Sequence, residues 1–126
     1  MRYGLVLICG SALLAAGCGQ PRATLAHGKP VSHWVGALHD SDARVRYKAV
    51  QALGNVGPAD PAAIPALIEA VKDQDAKVRE EAILALLKIG PAAKKAIPAL
   101  TEAARDKNVQ VRSYAVKALA KIGGGE

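Results

Sequence analysis

The sequence predicts an all-α fold, a short α-solenoid of three two-helix units repeating every 33 residues. Three observations predict it. First, Asp42-Ala43-Arg44-Val45-Arg46 recurs as Asp75-Ala76-Lys77-Val78-Arg79 and again as Asn108-Val109-Gln110-Val111-Arg112. The register continues through Ala49, Ala82 and Ala115, through Leu53, Leu86 and Leu119, and through Gly57, Gly90 and Gly123. Chance does not produce this many matched columns, and a fixed period of this length marks a repeat array. Second, Val45, Ala49, Val50, Leu53 and Val56 follow the spacing of an amphipathic helix. Third, 51% of the 126 residues are hydrophobic, yet aromatics are only 3% and Phe is absent, while 26 are alanine. A core of Ala, Leu, Ile and Val favours closely packed helices.

The N-terminus comes first. Met1-Arg2 gives a short positive start, and Leu5, Val6, Leu7, Ile8, Leu13 and Leu14 form an apolar run. The run falls short of the ~20 residues a bilayer span needs. Its charge, length and small-residue ending are those of a secretory signal over residues 1–17. The ending, Leu14-Ala15-Ala16-Gly17-Cys18, resembles the lipobox of bacterial lipoproteins, with Ala15 where leucine is commonest. The resemblance implies that Cys18 becomes the first mature residue and carries lipid. That places the protein in the cell envelope, anchored to an inner or outer membrane. Several acyl chains at about 0.8 kcal/mol per buried CH₂ make a stable anchor. Cleavage would remove Cys9 and Arg2, leaving one cysteine, no internal disulfide, and 16 basic against 11 acidic residues. Residues 18–28 have little periodicity and read as the lipidated cysteine and a flexible tether, with Gly19 to Gly28 reaching at most about 35 Å.

The repeats occupy 29–123, as units 29–57, 58–90 and 91–123, with a tail at 124–126. The pattern predicts helices near 31–39, 43–56, 62–72, 76–89, 95–105 and 109–122. Gly57-Pro58 and Gly90-Pro91 are stops. Pro65 and Pro98 fit a first helical turn, where a missing N–H costs little. Asp42 and Asp75 sit where a side-chain oxygen can cap the second helix of a unit. Trp34 takes the place of Leu67 and Leu100 in the first unit and reads as an end cap.

The run Asp-x-x-Val-Arg-x-x-Ala-Val/Ile-x-Ala-Leu-x-x-Ile/Val-Gly, preceded by Ile-Pro-Ala-Leu at 64–67 and 97–100, resembles the HEAT-like repeat family in its short, phycobilisome-lyase type. The resemblance implies a right-handed solenoid with the second helices on its concave side. It also implies that Arg46, Arg79 and Arg112 are structural, packed between units, with Asp42 and Asp75 as partners. Asn108 stands in the third unit where the others have aspartate.

Chemistry is sparse. His27, His33 and His39 form no His-x-x-x-His pair, and no Cys-x-x-Cys exists. The iron-binding His-Glu dipeptide of some HEAT-like hydroxylases is absent too, since Gly28, Trp34 and Asp40 follow the histidines. No metal and no cofactor is expected. Ser32, Ser41, Ser113, Thr24 and Thr101 have no evident base beside them, and Glu80-Glu81 point in different directions on a helix. The reading is therefore a non-enzyme. A charge of +6 is compatible with anionic partners, but export and the Glu80-Glu81 interruption disfavour nucleic acid. What remains is the outward face of the second helices, which varies from copy to copy while the interior columns repeat. Its candidates for partner binding are Tyr47, Leu84 and Tyr114 as anchors, with Lys48, Gln51, Lys88, Lys117 and Lys121 around them. The expected function is a lipid-anchored module that binds an unidentified protein or peptide on this face. The alternative, implied by the family alone, is a lyase-like or enzyme-accessory protein.

Overall fold

The computed structural model describes residues 24–124. Residues 1–23 and 125–126, including the signal, Cys18 and most of the tether, lie outside the described residues. A two-residue-strand hairpin, β1 (Leu25–Ala26) and β2 (Lys29–Pro30), leads into six helices. These are α1 (Val31–Ala37), α2 (Ala43–Val56), α3 (Ala63–Ala70), α4 (Ala76–Ile89), α5 (Ile97–Ala103) and α6 (Val109–Gly123). They form three antiparallel pairs, α1/α2, α3/α4 and α5/α6. The second helices stack in a row, α2 on α4 and α4 on α6.

Local chemistry sets the boundaries. Asp42 accepts from the Arg44 N–H, Asp75 from Lys77 and Val78, and Asn108 from Gln110 and Val111. Each cap satisfies a backbone donor that the first helical turn leaves free. Gly57 (φ 54°) and Gly90 (φ 76°) end α2 and α4 in left-handed conformations open to glycine at little cost. Short 3₁₀ segments, Gly57–Ala59 and Gly90–Ala96, follow them. The first helices are shorter than the periodicity suggests. After α1, His39 bonds back to Gly36 and Asp40 to Ala37, so the last turn tightens to i→i−3 and the α-helical span ends early. The same tightening follows α3 and α5, at Lys72 and Arg105.

The core runs through the stack. Ala49, Ala82 and Ala115 are fully buried, as are Leu53, Leu86, Leu67 and Leu100. Small side chains let the second helices close on one another. A Cβ at Gly54 would lie 2.9 Å from the Ala85 Cβ, so α2 and α4 touch almost backbone to backbone there.

Two expectations are corrected. The tether reading does not hold for residues 25–28. His27 (φ 50°) and Gly28 (φ 76°) form a tight hairpin turn, Ala26 is buried, and its carbonyl accepts from Trp34 Nε1 at 2.8 Å. The hairpin thus becomes part of the first unit's cap, with Trp34 as its support. The second correction concerns the repeated arginines. Arg46 and Arg79 are buried and structural, but Asp42 and Asp75 are not their partners. Arg46 donates through Nε to Asp73 Oδ2 at 2.9 Å and through Nη2 to Asp73 Oδ1 at 3.2 Å. Its Nη1 reaches the carbonyls of Asp40 and Ser41 in its own unit's turn. Arg79 repeats this with the carbonyls of Asp73 and Gln74 and the carboxylate of Asp106. Its Nε lies 2.9 Å from Asp106 Oδ2, in ion-pair contact but without a hydrogen-bonding angle. The reason is geometric: the capping carboxylates are held by helix N–H groups at the outer edge. Asp42 additionally binds the exposed Arg44, which lowers its pKa. The arginine instead spans from its own turn to the next unit's turn, where Asp73 and Asp106 occupy the same repeat column as Asp40.

Candidate protein-interaction surface

The stacked second helices present the variable columns along one face. Between α2 and α4 this face holds two open depressions that meet at Gln51. One, of about 680 Å³, is lined by Ala43, Arg44, Tyr47, Lys48, Gln51, Asp75 and Lys77. The other, of about 280 Å³, is lined by His27, Gln51, Gly54, Asn55, Glu81, Leu84, Ala85 and Lys88. Five expected binding residues, Tyr47, Lys48, Gln51, Leu84 and Lys88, therefore converge. Tyr114, Lys117 and Lys121 lie on α6 and line neither depression; Lys117 Nζ instead sits 5.4 Å over the Tyr114 ring.

Tyr47 is not a free anchor. Its hydroxyl donates to Glu81 Oε2 at 2.9 Å, bridging α2 to α4. That bond, with burial and the neighbouring Glu81 and Glu80 charges, holds the phenol above its ordinary value of 10.0. The ring offers its face and edge, while its polar end belongs to the inter-unit seam. Glu80 is also engaged, with Lys77 Nζ 3.4 Å from its Oε2. Of the two acids that interrupt the basic face in sequence, Glu80 is thus paired with a cation, while Glu81 is hydrogen-bonded by a neutral hydroxyl and keeps its charge. Lys48, Lys88, Lys117 and Lys121 make no ion pair among the described residues.

Sequence reasoning missed His27 and Gly54 as parts of the surface. His27 reaches it because the hairpin folds back, placing its Nε2 3.4 Å from Asn55 Nδ2. The signal available was the His-Gly pair, a turn-forming dipeptide within a segment otherwise lacking periodicity. Among the described residues, no cluster of His, Cys, Asp or Glu is grouped to hold a metal ion. No helix there is long and apolar enough to cross a membrane.

The stacked helix pairs define an α-helical repeat protein of the HEAT and armadillo type, a fold typical of protein-interaction modules. The HEAT-repeat sequence model matches residues 31–120, and the chain belongs to that family. No curated protein matches it at a significant level. Among solved structures, it is similar to the CpcE–CpcF complex of phycocyanin lyase from Nostoc sp. PCC7120, with 28% identity and a TM-score of 0.64 over 82% of this chain and 39% of that one. A designed armadillo repeat protein in complex with the peptide (KR)4 shares the fold at 24% identity and a TM-score of 0.63, over 73% of this chain and 46% of that one. An engineered protein matches at 27% identity and a TM-score of 0.58, over 75% and 46%. The chain spans less than half the length of each of these structures.

Proposed function

We propose that the protein is a non-catalytic, lipid-anchored interaction module that binds a protein or peptide on its second-helix face. The convergence of Tyr47, Lys48, Gln51, Leu84 and Lys88 around two adjoining depressions carries the reading. The interior columns repeat because packing demands it, whereas the columns of Tyr47, Lys48 and Gln51 hold a different residue in each copy, and only that of Lys88 keeps its lysine, as Lys121. Four lysines, Lys48, Lys88, Lys117 and Lys121, without an ion pair among the described residues outweigh the charge of Glu81 and give the face a net positive character, suited to a partner with acidic groups. Contact, not reaction, is the proposed mode of action. Modest affinity for a short segment is offset by holding the module near its partner at a membrane. A lyase-like or enzyme-accessory role is the second reading, favoured by similarity to the phycocyanin lyase complex alone.

A photo-crosslinker at Gln51 or Leu84 in native cells should capture a discrete protein, and one at Glu102 on α5 should not. The adduct should vanish when Lys48 and Lys88 are both changed to glutamate. Equal, diffuse labelling from both faces would reject the binding site. Fractionating the same cells tests the anchor. Wild-type protein should partition with the envelope membranes, and Cys18→Ser should stop its lipid labelling and release it from them. Unchanged labelling and partition of Cys18→Ser would reject lipidation at that residue.

A further inference from the structure

We propose that the α5/α6 end of the array docks the α1 end of a second copy of this chain, continuing the stack head to tail. The observation is a third copy of the arginine clasp that is only half closed. Arg112 Nη1 donates to the carbonyls of Asp106 and Lys107 at 2.8 and 3.1 Å. Arg46 and Arg79 show these same two bonds at the same distances. In those two, the remaining side of the guanidinium meets a carboxylate 27 residues downstream. Among the described residues Arg112 meets none. The guanidinium is therefore already oriented, and among the described residues its Nε and Nη2 have no acceptor.

The surface around it is the apolar half of a seam. Val116 is 58% exposed, whereas its repeat equivalents Val50 and Ile83 are fully buried by the next unit. Val109 is 67% exposed, and Leu119 is only half-buried where Leu53 and Leu86 are buried.

The complementary half lies at the opposite end of the same chain. Asp40 occupies the column of Asp73 and Asp106. Its Oδ1 accepts from the Asp42 N–H at 2.8 Å, as Asp73 and Asp106 accept from Asp75 and Asn108. Arg46 bonds only its backbone carbonyl; among the described residues its carboxylate makes no ion pair, and the residue is exposed. Beside it Val45 is only half-buried, where its repeat equivalents Val78 and Val111 are fully buried. Arg112 and Asp40 thus present at the two ends the arginine and aspartate columns that pair as Arg46 with Asp73 and Arg79 with Asp106 inside the molecule. Such a contact is heterologous, so it does not close on itself and adds copies in a line.

The test is sedimentation of the full chain in detergent solution over a range of concentrations. Wild-type protein should sediment faster as concentration rises. Asp40→Lys and Arg112→Glu should each weaken self-association by about tenfold or more, the loss of a charge-assisted pair. An equimolar mixture of the two should regain it, because each variant then meets an opposite charge at both ends. Wild type that stays a single copy at all concentrations overturns the proposal. So do single variants that associate like wild type, or a mixture that does not recover. Circular dichroism checks that the helices remain. Asp40→Lys, at an exposed turn, carries the test alone should Arg112→Glu unfold.

Discussion

Arg46→Ala and Arg79→Ala should each destabilise the array by about 3–5 kcal/mol, while Arg112→Ala should cost about 1 kcal/mol. In the first two, removing the guanidinium strands a mostly buried carboxylate, with Asp73 at 10% and Asp106 at 14% side-chain exposure. It also strips two carbonyls of the preceding turn of their donor. Arg112 makes the carbonyl bonds but holds no carboxylate among the described residues, so its removal leaves no buried charge. Urea unfolding of the three variants measures the difference; equal losses at all three positions would show that the carboxylate contacts contribute nothing. The Arg79 pair also has an acid signature. Burial raises the Asp106 pKa, but the Asn108 N–H and the Arg79 hydrogen bond and charge outweigh it and hold it below the ordinary 3.8. A depressed carboxylate stabilises the fold fully above that value and loses the contribution as pH falls through its folded value. The gap between wild type and Arg79→Ala should therefore be widest above pH 3.8 and narrow below it.

These arginines mark the boundary between what sequence reveals and what it does not. The helices of all three units were legible because burial imposes the same residue in the same column each time, and the caps at Asp42, Asp75 and Asn108 because one short side chain must meet its own helix. The clasp was half legible. Asp40, Asp73 and Asp106 stand on the repeat period as visibly as Asp42 and Asp75 do. Choosing between two aspartates two residues apart requires knowing which points along the stack, and that is a property of unit-to-unit rotation rather than of one unit's pattern. The hairpin at Leu25–Pro30 escaped for another reason. It occurs once, so no period announces it, and its strands are too short to show alternation. The second-helix face was legible as variable columns. The use of the Tyr47 hydroxyl was not, because the contact to Glu81 crosses from one repeat to the next.

Leu86→Ala should be among the most damaging single truncations in the molecule, at about 2–5 kcal/mol, and Leu119→Ala should cost only about 1–2 kcal/mol. Both leucines occupy the same column of the repeat. Leu86 is fully buried in α4, which packs on α2 on one side and on α6 on the other. Leu119 lies in α6, which among the described residues packs on a second helix, α4, on one side only, and it is half-buried. In a linear array, stability is close to a sum of unit terms and nearest-neighbour seams, and the middle unit of three takes part in both seams. A cavity at Leu86 therefore weakens the contacts that make either end worth folding, whereas one at Leu119 weakens a single seam. Domains of this size hold roughly 5–15 kcal/mol in total, so the upper part of the range leaves little margin. Chemical unfolding followed by hydrogen exchange separates the cases. Leu86→Ala should lower protection in α2 and α6 alike, and Leu119→Ala should lower it mainly in α5 and α6. Equal costs for the two truncations would mean that the three units unfold without regard to position, and the nearest-neighbour description of this array would fail.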